Sequence, residues 1–267
     1  MIPCTLMAHA KLTLSLRVTG ARADGFHLID AEMVSLDLAD TLELAPGDGL
    51  EVHGATGIPV GDGDDNLVRR ALRAVGRTAH VRLTKRIPAG GGLGGGSSDA
   101  AAILRWAGCR DLAVAASLGG DVPFCLVGGR ARVLGIGEDV RPLDAAAVTG
   151  RSFTLLTPPF GVPTADVYRA WDRLGDPSGD GPNDLEAAAL AVEPRLAEWR
   201  ERLEEATGRR PTLAGSGATW WVAGAFPGEG RVVARAVVPG GSPPYVAAPD
   251  GTPPDVAAPE GAPGAPG

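Results

Sequence analysis

The stretch that most limits what this chain can fold into is PAGGGLGGGSS, residues 88–98. It follows a strand-like segment, AHVRLTKRI, and runs into DAAAILRW, whose alanine-rich composition belongs to a helix. Strand, glycine loop, helix is the expected order. In this run, opened by Pro88 and interrupted by Leu93, the residues Ala89, Gly90, Gly91, Gly92, Gly94, Gly95 and Gly96 are small or flexible enough to let backbone N–H groups approach an anion closely, and the helix aims its positive end at the same point. Ser97 and Ser98 add hydroxyls for phosphate oxygens, and Ser98 is the candidate ligand for a magnesium ion. A Walker loop needs a lysine directly before its Ser or Thr, and none precedes Ser97. A dinucleotide fold needs an acidic residue at a strand end about 20 positions on. Asp121 is roughly that far away but lies in the loop-like GGDVP. The glycine run therefore points to phosphate and leaves the enzyme class open.

Upstream, Leu6, Ala8, Ala10, Leu12, Leu14, Leu16 and Val18 alternate with His9, Lys11, Thr13, Ser15 and Arg17, the period of a half-buried strand. Lys11 then projects from the polar face beside Thr13. MVSLDL, TLEL and LEVHG read as three further strands. Asp64, Asp65 and Asn66 precede a helical spacing of apolar residues and cap it. FCLVGGRARVLGI reads as a hairpin turning at Gly128 and Gly129, and FTLLTP as the strand that opens a second lobe. TADVYRAWDRL is helical, and Pro194 divides a second helical stretch from Leu185 to Leu203. Strands around ATWWVAGAF and RVVARAVV complete an α+β arrangement. The expected units are 1–150, 151–238 and a disordered Pro/Gly/Ala-rich tail, 239–267.

Composition narrows the partners. A net charge of -7 argues against nucleic acid or an anionic membrane, each of which needs a broad basic surface. Cys4, Cys109 and Cys125 are too few and too scattered for a disulfide framework, and no apolar run is long enough for a membrane span, so a soluble cytoplasmic protein is expected, a monomer or homodimer. Of 25 basic residues only Lys11 and Lys85 are lysine. An ammonium on a flexible stem reaches a phosphate or a reacting oxygen in ways a planar guanidinium does not.

PAGGGLGGGSSDAA resembles the second motif of the GHMP kinase superfamily, AGSGAT at 214–219 resembles its third, and DDNL at 64–67 and LGGDVPF at 118–124 stand in the expected order. AHAKLTLSLRVTGARADGFHLIDAEMVSLDLAD is similar throughout to a member whose acceptor is a cytidine-diphosphate-linked methylerythritol. The resemblance covers most of residues 8–225. It implies a two-lobed fold, with a ribosomal S5-like N-terminal lobe and a ferredoxin-like C-terminal lobe. It also implies ATP and Mg²⁺, a small-molecule acceptor, and phosphorylation of that acceptor's 2-hydroxyl. By the same resemblance Asp121 accepts the hydroxyl proton and Lys11 steadies charge on the transferring group. Lys85 and Asn66 lie near the nucleotide, although Lys85 also reads as a solvated strand-edge lysine and Asn66 as a helix cap. Phe26 stacks on cytosine, His27 reads its polar edge, and Tyr168 lies on the opposite side of the base, with Thr164 one helical turn earlier and Thr13 beside Lys11. Thr13, Phe26 and Met33 depart from the residues usual at their positions. Asn183 and Asp184 match a position of no settled role, and Asn183 reads equally as a cap. Another acceptor, such as mevalonate, homoserine or a sugar, or an idle nucleotide-binding protein, remains an alternative.

Overall fold

The computed structural model describes residues 3–54, 58–175, 177 and 181–239; the expected disordered tail lies, from residue 240 on, outside the described residues. The chain opens with two long antiparallel strands, β1 (Cys4–Ala21) and β2 (His27–Ala45). The segments MVSLDL and TLEL, expected as separate strands, are one strand, because β2 has partners along its whole length. One edge carries β1. The other carries in turn β5 (Arg130–Gly135), β10 (Arg231–Val237) and β4 (His80–Thr84). The short β3 (Gly49–His53) runs parallel to β4, and β6 (Asp139–Pro142) completes this half. In the other half β7 (Ser152–Leu156) pairs with both β10 and β9 (Trp220–Ala223), and β8 (Thr212–Leu213) lies beyond β9. The last strand thus sews the two halves into a ten-stranded sheet.

Register shifts at His9/Lys11 and at Thr13/Ser15 interrupt β1. Ala8 and Leu16, outside them, pack in one hydrophobic cluster, whereas Ala10 and Leu12, between them, pack in a second. Bulges of this kind re-aim side chains. Here they turn Lys11 and Thr13 into a covered cleft, where both are buried.

The helices are α1 (Leu67–Ala74), α2 (Gly95–Trp106), α3 (Leu112–Leu118), α4 (Val122–Val127), α5 (Thr164–Arg173), α6 (Glu186–Val192) and α7 (Leu196–Thr207). Asn66 caps α1 by accepting from Val68 N at 2.9 Å. Pro194 separates α6 from α7, where its ring and missing N–H break the ladder. The hairpin expected at FCLVGGRARVLGI does not form: its first half is the helix α4. Pro123 suits a first helical turn, and Val122, Phe124, Cys125 and Leu126 are all buried. Gly128 and Gly129, at φ +72° and +75°, end that helix and lead into β5. Full burial of Phe124 alone contributes about 1.5–3 kcal/mol. Between β9 and β10 there is only a short turn segment. Among the described residues the three cysteines are free thiols, and no helix is long and apolar enough to cross a membrane.

Candidate active site

The glycine loop leaves β4 and enters α2 at Gly95, two residues earlier than the serines suggest. The N-cap is Gly94, in left-handed geometry at φ +68°, and no side chain caps the helix. The first-turn amides of α2 therefore face the loop cavity without a side-chain acceptor, which is what an anion site at a helix start requires. That cavity, of about 380 Å³, is lined by Asn66, Lys85, Pro88 to Ser97 and Asp99.

A second loop, 214–219, closes against the first. Ala218 N and Thr219 N donate to Gly90 O and Gly91 O at 3.3 and 3.1 Å. Gly92 allows the approach: at φ +73°, a Cβ there would lie 2.1 Å from Ala214 O. Beyond this seam is a second cleft, of about 160 Å³, lined by residues that include Lys11, Thr13, Met33, Asp121, Thr164 and Tyr168. Gly90 and Gly92 line both cavities, so the phosphate loop is the wall between them.

Lys11 threads between the loops. Its amide donates to Leu93 O at 3.0 Å, and its stem runs so close to Gly94 that a Cβ there would lie 2.7 Å from Lys11 Cγ. The ammonium donates to Thr13 Oγ1 at 3.1 Å and stands 3.4 Å from Asp121 Oδ2. Asp121 occupies the N-cap position of α4 without capping it, so its carboxylate is free to face the cleft. The lysine is almost fully buried and the carboxylate 37% exposed, which leaves the pair open toward the cleft. Thr164, at the start of α5, shares a hydrogen bond of 2.9 Å with Ser216 of the second loop. Tyr168, one turn on, is half-buried, and desolvation, helped by the Asp121 charge, pushes its hydroxyl up to about 12.

Several expected residues sit differently. Ser98 does not line the loop cavity; its hydroxyl donates to His9 O at 2.7 Å and lies 3.3 Å from the buried Cys125 Sγ. It ties α2 to β1 and its hydroxyl is engaged there, whereas Ser97 lines the cavity. Lys85 is not a solvated edge residue. It is buried between two carboxylates, bonded to Asp40 and, at 2.7 Å, to Asp99. Asp40 also accepts from Arg86 N and Ile87 N, fastening the entrance of the loop to β2. Burial raises the Asp99 carboxyl to about 7, and its Oδ1 has no hydrogen-bond partner among the described residues. Neither acid was singled out from the sequence. Asn66 both caps α1 and borders the nucleotide cavity, its amide donating to Gly61 O at 2.7 Å. Phe26 is 59% exposed and lines neither cavity. His27 stacks on Tyr168, with ring centroids 4.7 Å apart, and its Nε2 lies 2.7 Å from Asp172 Oδ1, another acid the sequence did not flag. No base fits between two rings at that spacing.

Residues 66–129 match the GHMP kinases N terminal domain family. Two glycine loops meeting at a seam, the first of them walling a cavity at a helix start, with a buried lysine paired to a carboxylate in the cleft on the far side, define a GHMP kinase. The chain is 38% identical over 255 residues to 4-diphosphocytidyl-2-C-methyl-D-erythritol kinase of Paracoccus denitrificans (strain Pd 1222), covering 88% of this chain and 92% of that protein. It is 40% identical over 256 residues to the kinase of that name from Pelotomaculum thermopropionicum, covering 80% and 87%. A crystal structure of 4-(cytidine 5'-diphospho)-2C-methyl-D-erythritol kinase superposes with a TM-score of 0.64 at 33% identity, over 82% of this chain and 89% of that one. The chain belongs to the 4-diphosphocytidyl-2-C-methyl-D-erythritol kinase family.

Proposed function

We propose that this chain transfers the γ-phosphoryl group of ATP to the 2-hydroxyl of 4-diphosphocytidyl-2-C-methyl-D-erythritol, a step in non-mevalonate isoprenoid precursor biosynthesis. The observation that carries this reading is the shared wall: one glycine loop borders both cavities, and Lys11 and Asp121 stand on the acceptor side of it. ATP lies in the larger cavity with its phosphates on the loop amides and the start of α2. The acceptor lies in the smaller cleft, its hydroxyl directed at the γ-phosphorus. The transition state of phosphoryl transfer is loose, so positioning and charge stabilisation matter more than a strong base. Asp121 takes the hydroxyl proton as the new P–O bond forms and ADP departs. Lys11, 3.4 Å away, pairs with the Asp121 carboxylate and stabilises the transferring group.

Among the described residues no cluster of His, Cys, Asp or Glu makes a metal cage. Ser97, which lines the larger cavity, is the protein hydroxyl that would hold a magnesium ion bound with the nucleotide. When bound, the ion would offset phosphate charge. Thr13, Thr164 and the His27–Tyr168 stack receive the acceptor, with the cytosine lying beside the imidazole. We place the enzyme in the cytoplasm as a monomer or homodimer, with lobes at 1–150 and 151–238, and its net charge of -7 supports a small-molecule partner over nucleic acid.

The test is ADP formation from ATP and this acceptor by the purified chain, with phosphorus NMR locating the new monoester. Lys11→Ala and Asp121→Asn are each expected to lower kcat on the order of 10²–10⁴-fold. Absence of ADP with this acceptor, or turnover that CDP does not inhibit, refutes the acceptor. Parent-like rates in both variants refute the assigned roles.

A further inference from the structure

The segment Pro182–Asp184 lies between α5 and α6, outside both glycine loops, yet its polar groups reach the two parts of the site that must agree in position. Its backbone forms a parallel bridge to β1 at Leu16: Leu16 N donates to Pro182 O at 2.8 Å, and Asp184 N donates to Leu16 O at 3.0 Å. The Asp184 carboxylate adds two more ties to the same strand, accepting from Val18 N at 3.0 Å and from the Arg17 guanidinium at 2.5 Å. This is the strand that carries Lys11. The neighbouring side chain faces the opposite way. Asn183 Nδ2 donates to Leu213 O at 2.9 Å and to Gly215 O at 2.7 Å, while its Oδ1 accepts from Leu185 N at 2.9 Å. Both residues are only 3% exposed.

A cap explains only the Leu185 bond. The two donations go to the entrance of the second glycine loop, at the point where that loop meets the catalytic lysine. Gly215 is left-handed at φ +62°, and a Cβ there would lie 3.3 Å from Lys11 Nζ. One amide thus holds the loop, and the next residue holds the strand, across the junction of the two lobes.

We propose that Asn183 and Asp184 form a positioning clasp for phosphoryl transfer, fixing the backbone of the second glycine loop against the Lys11 ammonium. The clasp touches neither substrate. Its effect falls on the geometry between Lys11 and the loop, and the nucleotide cavity, built from residues 60–99, is left intact. This inference rests on the kinase reading above, and its test separates the two.

Asn183→Ala is compared with Leu203→Ala, a fully buried change on α7 that lowers stability by removing apolar packing and takes no hydrogen bond from the loop. Asn183→Ala is expected to lower kcat on the order of 10–100-fold per folded molecule, as displacement of reacting groups by about 1 Å does, with the KM for ATP within about 3-fold of the parent. Leu203→Ala is expected to keep kcat. Asn183→Ser, which retains an oxygen to cap Leu185, is read in the same way should the alanine variant fail to fold. Hydrogen exchange of the 213–219 amides needs no acceptor and is expected to quicken in the Asn183 variants only. An unchanged kcat in the folded variants, an equal kcat loss in Leu203→Ala, or unchanged protection of 213–219 overturns the clasp. A parent chain inactive on the cytidine-linked acceptor refutes the acceptor alone, and the exchange comparison still decides the clasp.

Discussion

Gly92→Ala tests the seam between the glycine loops most directly. At φ +73° an alanine carries the left-handed penalty of about 1–2 kcal/mol. Its methyl would also stand 2.1 Å from Ala214 O and 2.8 Å from Gly217 O, both backbone atoms with no rotamer to escape into. The second loop must withdraw by about 1 Å, which strips the bonds from Ala218 N and Thr219 N to the first loop, each contributing about 0.5–1.5 kcal/mol. The total is about 2–5 kcal/mol of stability. Gly108→Ala is the matched control: φ is +76°, yet nothing lies within 4 Å of the added carbon. It carries the strain alone, about 1–2 kcal/mol, or several degrees of Tm at about 2–4 °C per kcal/mol for a chain of this size. Thermal melts and steady-state turnover on both variants separate the two contributions. Gly92→Ala is expected to melt below Gly108→Ala and to lose on the order of 100-fold in kcat, because the wall between the cavities moves relative to Lys11. Equal melting points for the two variants, with turnover of Gly92→Ala within about 2-fold of the parent, would refute the account of the seam.

Two further perturbations address groups around the site. Asp99 holds its proton to about pH 7 in the fold against an ordinary 3.8, so between those values the native state binds more protons than the unfolded chain. Stability contributed by this group therefore declines as pH climbs through that window and levels off above it. Asp99→Asn is expected to flatten the decline in urea melts run across the window, and an identical pH dependence in the two proteins counts against the raised carboxyl. Asp172→Ala frees the His27 imidazole from the contact at Nε2. Loss of roughly 1 kcal/mol of orientation is expected to raise the acceptor KM about 5-fold without changing the KM for ATP. An unchanged acceptor KM would remove Asp172 from the acceptor site.

What could be read from the chain follows the range of the forces involved. The strand, loop and helix around residues 80–106, the Asn66 cap and the break at Pro194 depend on neighbours within a turn or two, and they stand as the sequence implied. The helix α4 was missed because VPFCLV is apolar on every side and only six residues long, so no period distinguishes it from a strand, and two left-handed glycines after it imitate a hairpin turn. Lys85 lines the loop cavity, and only the solvated-edge alternative for it fails, for a different reason. Its partners, Asp40 and Asp99, lie 45 and 14 positions away, and nothing local announces them. Yet one trace of the triad was on view. Asp40 falls in the same alternating row as Leu36, Leu38, Leu42 and Leu44, where a carboxylate would be buried without water. An acid in such a row requires a donor, and the structure supplies Lys85 and the amides of Arg86 and Ile87, at the entrance of the phosphate loop. The existence of a buried polar anchor is thus legible wherever a charge interrupts an apolar period. The identity of its partner is not, because that depends on how β2 and β4 come into register.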